Sequence, residues 1–133
     1  MKRRKNATLK STKKRADKVF SEYIRKRDTI RAKPICATCN EFIDFKTSDA
    51  GHFIARNYAA TRFDEQNVNA QCRRCNRFQS GRQYEHGRYI DKLYGQGTAE
   101  KLLIKSKMLC KRTIFDYEQI IEQYKKKIEC LES

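Results

Sequence analysis

DAGHFIARNYAATRFDEQNVNAQCRRCN, residues 49–76, places one histidine, several asparagines, four arginines and a C-x-x-C pair in a stretch with little aliphatic bulk. A second pair, Cys36-Ala-Thr-Cys39, lies upstream, so that Cys36, Cys39, Cys72 and Cys75 form two knuckles separated by 32 residues. Paired knuckles of this spacing suit a tetrahedral Zn²⁺ held by four thiolates. Two disulfides or a redox C-x-x-C are the alternatives. The first needs an oxidising compartment, and the second needs no second pair. With sulfur in all four positions no corner is left for water, so the zinc is expected to be structural and any chemistry must come from side chains that the knuckles hold.

The candidates between the knuckles are His52, Asn67 and Asn76, with Asp49, Asp64 and Glu65 as nearby carboxylates. A neutral imidazole near pH 7 can take a proton from water. An asparagine carbonyl can serve a hard divalent cation. Taken singly, each has an ordinary reading: a strand histidine commonly makes a structural hydrogen bond, and an asparagine near a helix start commonly caps it. Their order between two cysteine pairs favours an active site.

The chain has 133 residues and 31 Lys plus Arg against 16 Asp plus Glu, a net charge of +15. That is the length of about one domain with a small core, and the excess charge calls for a polyanionic partner, nucleic acid first. No apolar run approaches the ~18 residues of a spanning helix, and MKRRKNATLK has no apolar signal block, so a soluble, intracellular protein without membrane association is expected. Fourteen of the basic residues and only three acids fall within residues 1–33. The opening MKRRK is either a solvated tail or an arm that contacts phosphates.

Ala16, Val19, Phe20, Tyr23, Ile24 and Arg27 recur at helical steps, which predicts an amphipathic helix from Ser11 to about Arg27, capped by Ser11 or Thr12. Pro34 marks a break. Phe42–Phe45 and Gly51–Ile54 are expected as brief strands, and Asn76 stands at an expected helix start. Helical patterning resumes after Gly81 and is interrupted near Gly95 and Gly97. From Thr113, Ile114, Tyr117, Ile121, Tyr124, Ile128 and Leu131 form a heptad-like seam that fits packing on the chain's own helices better than a coiled coil. Cys110 and Cys130 are expected as buried small apolar residues in helices. The organisation expected is a basic arm and helix over 1–33, a zinc-knuckle core over 34–81 and a helical region over 82–133. The fold class is α+β, mostly helical.

The order C-x-x-C, Gly51-His52, Asn67, C-x-x-C-Asn76 resembles the zinc-bearing HNH endonucleases, in which knuckles clamp a ββα-metal finger. VFSEYIRKRD, AGHFIAR, TRFDEQNVNAQCRRCNRFQSG and YEHGRYIDKLYG, between about Val19 and Lys105, are similar to the NinG (Rap) recombination proteins of lambdoid phages. The resemblance implies an HNH-type endodeoxyribonuclease that nicks or resolves branched recombination intermediates such as Holliday junctions or D-loops. It implies His52 as general base, Asn67 as the residue that orients the loop, and Asn76 as ligand of a catalytic Mg²⁺ or Mn²⁺. It also implies 5′-phosphate and 3′-hydroxyl ends, and the cytoplasm of a phage-infected or prophage-bearing bacterium as the location. The usual pattern has an aspartate immediately before the histidine. Here that residue is Gly51, and Asp49, as an alternative ligand, would sit on the opposite face of a regular strand. Arg56, Arg62, Arg73, Arg74 and Arg77 are suited to backbone phosphates, with a solvated helix face as their plainer reading. A homodimer would suit symmetric cuts on a junction. A non-catalytic zinc module that binds nucleic acid, or an HNH nuclease on plain duplex, are the competing functions.

Overall fold

A computed structural model describes residues 7–133, so the expected arm MKRRK lies outside the described residues. Helix α1 spans Leu9–Arg27. It starts earlier than the sequence suggests because Thr8, not Ser11 or Thr12, caps it: the Thr8 side chain accepts from the Ser11 N–H and the Ser11 hydroxyl accepts from the Thr8 N–H. This reciprocal box satisfies two otherwise orphaned donors. Ala16, Phe20, Tyr23 and Ile24 are buried on one face, as the periodicity requires.

A small hairpin follows, with β1 (Thr29–Ile30) paired to β2 (Lys33–Pro34). Its two turn residues, Arg31 and Ala32, have φ of 53° and 75°, the left-handed conformation that matches the twist of a two-residue hairpin. Pro34 is therefore in a strand pair, at the entrance to the first knuckle. The expected strand over Phe42–Phe45 does not form. Residues 36–41 wrap into the knuckle, with Cys36 N–H bonding to Glu41 O and a left-handed Asn40. Phe42 makes a single bridge to Ile35, and Phe45–Thr47 is a 3₁₀ turn.

Strand β3 (Ser48–His52) pairs antiparallel with β4 (Val68–Cys72) in unbroken register from Ser48↔Cys72 to His52↔Val68. The strand thus begins three residues before Gly51 and ends at His52. Phe53 and Ile54 leave it because their N–H groups bond to the Asn67 carbonyl and the Asn67 side chain, at 2.8 and 2.7 Å. The long β3–β4 connection contains the short helix α2 (Ala59–Arg62). After β4 the finger helix is a single π-helical turn, Arg74–Phe78, shorter than the helix start at Asn76 suggests. It stops at three successive left-handed residues, Ser80, Gly81 and Arg82. Helices α3 (Gln83–Tyr94), α4 (Thr98–Ser106) and α5 (Ile114–Glu132) complete the chain. Gly95 and Gly97, at φ 119° and 94°, make the expected break between α3 and α4. The molecule is α+β and mainly helical.

The C-terminal seam packs intramolecularly. Tyr117 and Ile121 meet Ala16, while Tyr124 and Ile128 meet Phe20, Tyr23, Ile24 and Val68 of β4. The pairing is early residue with early residue and late with late, ending in an ion pair between Lys26 and Glu132, so α1 and α5 lie parallel. Leu131 is exposed, and Cys130 and Cys110 are not buried: Cys130 points away from the seam and Cys110 is in the α4–α5 loop. Among the described residues no helix is long and apolar enough to cross a membrane.

Glu65 holds this helix pair. Its carboxylate accepts from the Tyr23 and Tyr124 hydroxyls, each at 3.0 Å, and from Lys127 Nζ at 2.6 Å. Burial acts to raise its pKa, but the bonds from Lys127 and the two tyrosines overcome this and hold it below the usual carboxylate range. Replacing Glu65 with alanine leaves two phenols unpaired in a half-buried setting. A loss of about 2 kcal/mol is expected, read as a lower urea midpoint with unchanged m-value.

Candidate functional site

The four cysteine sulfurs come together although two chain segments supply them. Cys36 and Cys39 sit on the first knuckle, Cys72 ends β4, and Cys75 lies in the π turn. Two bonds anchor the first knuckle to β4: Ala37 N–H to Ala70 O at 2.9 Å, and Gln71 Nε2 to Thr38 Oγ1 at 3.1 Å. All four Sγ atoms lie within 4.8 Å of one another, and Cys39 and Cys72 are 3.9 Å apart. Zn–S bonds near 2.3 Å put the corners of a tetrahedron roughly 3.8 Å apart. The donor set fits zinc in number, chemistry and spacing. Without a cation the sulfurs oppose each other. At Cys36, burial is outweighed by bonds from Thr38 and backbone N–H groups and the thiol is pushed down to about 6, while burial and the Cys36 charge push Cys39 up to about 12. Four cysteines this close could hold one zinc ion, whose charge would keep all four sulfurs as thiolates.

Beside β3 lies a groove of about 530 Å³ bordered by Asp17 and Arg25 of α1, Ser48, Asp49, Ala50 and His52 of β3, and Arg56, Arg73, Asn76 and Arg77. The two-stranded sheet leaves β3 with a free edge, and residues from both of its faces reach the groove. Asp49 therefore borders the same space as His52 without the bulge that a regular strand would otherwise demand. Asp49 accepts from Asn76 Nδ2 at 3.0 Å and takes a two-point ion pair from Arg77 at 2.9 Å. Its side chain is 12 % exposed against 54 % for Arg77.

His52 is held by backbone groups, the Arg62 carbonyl and Ala50 of its own strand. Its Nε2 lies 3.0 Å from the Arg62 carbonyl. A carbonyl only accepts, so Nε2 carries the proton and Nδ1 keeps the lone pair. Burial, and to a lesser degree the charge of Arg56, push the ring's pKa down to about 4. The carbonyl is itself held. Asn67, fully buried, accepts from Ile54 N–H and donates to the Ile54 and Thr61 carbonyls at 3.0 Å. Arg62 pairs with Asp17 of α1, its Nε 2.9 Å from Oδ1. The β3–β4 connection is thus pinned at both ends around the imidazole.

A family model described as the bacteriophage lambda NinG protein matches residues 1–133. The chain belongs to the NinG family. Comparison with curated proteins and with solved structures gave no match. The family match extends past Val19–Lys105, where the motif resemblance is carried, to the helices at both ends of this NinG-family chain.

The structure brings His52, Asp49, Asn76, Arg56, Arg73 and Arg77 to one groove. Asn67 stands behind it. Arg74 is outside, ion-paired to Glu41 at 3.7 Å, and Arg62 is committed to Asp17. Asp64 and Glu65 are away from the groove, bound to Lys105 and to the α1–α5 clamp. Gly51 has a local reason: an added Cβ would lie 1.8 Å from Oε1 of Gln71, whose side chain crosses over the glycine to reach Thr38 and the Gly81 carbonyl. An aspartate at 51 would displace that strut.

Sequence reasoning missed Arg25, Asp17 and His86. Arg25 enters the groove from α1, its guanidinium 4.5 Å over the Phe45 ring and bonded to the Phe45 carbonyl. No periodic signal announces this, because the partner lies twenty residues away. His86 of α3 is fully buried, with Nε2 3.1 Å from Asn69 Oδ1. Burial, then the proximity of His52, push its pKa down to about 4. Both histidines stay neutral when folded down to pH about 4, whereas in the unfolded chain they bind protons near pH 6.5. Stability is therefore complete above pH ~6.5 and falls as pH drops toward 4, by on the order of 3 kcal/mol per ring. Urea midpoints at pH 7 and 5 should separate clearly, and His86→Gln should remove about half of that difference.

Proposed function

We propose that this NinG-family chain is a metal-dependent DNA endonuclease of phage recombination, nicking or resolving branched DNA in the cytoplasm of the bacterial host. The observation that supports it most is the position of His52: a neutral imidazole with its proton tied to a backbone carbonyl and its lone pair left on Nδ1, at the wall of an arginine-lined groove. In this reading Nδ1 takes a proton from the water that attacks the phosphodiester in line. Asn67 is the positioning residue, since it fixes the connection whose carbonyl aims the ring. Asp49 and Asn76, already side by side, would hold a Mg²⁺ or Mn²⁺, which would neutralise charge on the phosphate and on the departing sugar oxygen. Binding of that ion requires Arg77 to leave Asp49, and a DNA phosphate is the natural new partner for its guanidinium. Arg56 and Arg73 would grip neighbouring phosphates, contacts that position a backbone without reading bases. Zn²⁺ on the four cysteines would fix the π turn that carries Asn76 and Arg77. Two copies related by a two-fold axis would make paired cuts on a junction.

A zinc-stabilised module that only binds nucleic acid is the second reading, supported by the same burial and carbonyl bond of His52, which also suit a structural histidine. A panel of four-way junction, D-loop, fork and linear duplex, each with Mg²⁺, Mn²⁺ and chelator, separates the two. Metal-dependent nicks with 5′-phosphate ends, strongest on branched forms, are expected. Tight binding to every form with no nicks would establish the module instead, and equal cutting of all forms would make it a duplex nuclease.

A further inference from the structure

Phe78 ends the π turn with its ring 81 % exposed, the most exposed aromatic side chain among the described residues. Its backbone is not loose. Gln79 N–H bonds to Arg74 O at 2.9 Å, Gly81 N–H to Cys75 O at 2.8 Å, and Gln71 Nε2 to Gly81 O at 3.0 Å. The turn grows directly out of the cysteine cluster through Cys75. A large apolar ring held rigidly in water is unfavourable in a chain whose core is small and rich in aromatics, so packing does not account for its place.

The surroundings define what could cover it. Arg73, Arg74 and Arg77 are all exposed on the same short turn, and Arg73 and Arg77 border the groove that contains His52. Three exposed arginines on the turn that carries the ring disfavour an apolar protein surface and favour a polyanion that also has flat π faces. Nucleic acid has both. In an intact duplex, however, the base faces are already stacked on one another and out of reach. A ring in this position finds a free face only where stacking is broken, at a branch point, a gap or a splayed end.

We propose that Phe78 is a stacking platform for an unpaired or unstacked nucleobase, and that it supplies the preference for branched over continuous DNA. The proposal rests on the DNA-directed reading above but not on hydrolysis. The arginines hold backbone phosphates, which any DNA form offers, while the ring adds affinity only where a base is free. Base–aromatic stacking of this kind is sequence-tolerant, in keeping with recognition by shape.

The test uses the full chain with zinc, in EDTA-free buffer lacking Mg²⁺ so that no strand is cut, and a four-way junction carrying 2-aminopurine at the branch, against a linear duplex of the same sequence. Wild type should quench the branch fluorophore and bind the junction more tightly than the duplex. Phe78→Ala should abolish the quenching and weaken junction binding by about tenfold with duplex binding unchanged. Phe78→Trp should restore both, and Phe115→Ala, which removes another exposed ring on α5, should match wild type. Retained zinc and circular dichroism in Phe78→Ala establish that the turn is intact. Equal losses on junction and duplex, no loss on either, or a change in self-association in place of DNA binding would overturn the proposal. Failure of the nuclease reading would look different: wild type would still quench the branch fluorophore yet leave every strand whole when Mg²⁺ is added.

Discussion

His52→Ala is expected to lower the rate of metal-dependent nicking by roughly 10²–10⁴-fold, the range for removal of a positioned general base. Binding to the same DNA should change little, because the imidazole contributes no charge at neutral pH: its pKa is pushed down to about 4 by burial. The variant should also fold, since the connection that carries the Arg62 carbonyl remains anchored without the ring by the Asp17 ion pair and the Asn67 bonds to residues 54 and 61. The depressed pKa has a kinetic consequence. In the free chain the His52 imidazole is already deprotonated above pH ~5, so on the proposed mechanism the acid limb of the rate profile should fall well below the usual histidine pKa of about 6.5. Single-turnover rates from pH 4.5 to 8, with binding measured in parallel, check both statements. A rate unchanged in His52→Ala would remove this residue from the chemistry.

Cys75→Ser is expected to have the largest structural effect. Four-thiolate zinc sites contribute on the order of 10 kcal/mol to the folding of small metal-bound units, and a serine in place of one thiolate leaves a weak site. Cys75 is fully buried and lies in the turn that presents Asn76 and Arg77 to Asp49. Loss of the metal should therefore release the π turn and the first knuckle, remove nicking, and expose the Cys36–Ile43–Cys75 cluster to proteolysis. The α1–α5 pair should survive in large part, because its core of Phe20, Tyr23, Ile24, Tyr124 and Ile128 contains no sulfur. Far-UV circular dichroism should then keep most of its helical signal while zinc content drops below stoichiometry. Global unfolding of Cys75→Ser would mean that the cluster supports the helices as well.

The parts legible in the sequence are those governed by local period or by fixed ligand spacing. Ala16, Phe20, Tyr23 and Ile24 mark α1, Tyr117, Ile121, Tyr124 and Ile128 mark α5, and two C-x-x-C pairs mark the cluster, since each pattern is set within a few turns or a few bonds. The edges of β3 were not legible. Its hydrophobic content is low, and it ends where Asn67 captures the N–H of Ile54, a bond across thirteen residues. The same reason hides the Arg62 carbonyl behind His52, the Asp17 partner of Arg62 and the Glu65 clamp: each is a polar contact between distant segments, which no periodicity encodes. Asp49 illustrates the limit most clearly. Strand alternation assigns it to the face away from His52, yet both residues border one groove, on the side where β3 has no second strand partner among the described residues.

Whether a strand is cut separates the nuclease from a module that only binds DNA. The most direct measurement is to incubate end-labelled four-way junction with purified wild-type chain in Mg²⁺, with a chelator-treated sample and His52→Ala beside it on one denaturing gel. Discrete nicked products in the Mg²⁺ lane alone, carrying 5′-phosphate ends, are the predicted result. A junction shifted fully into complex but intact in all three lanes would contradict it.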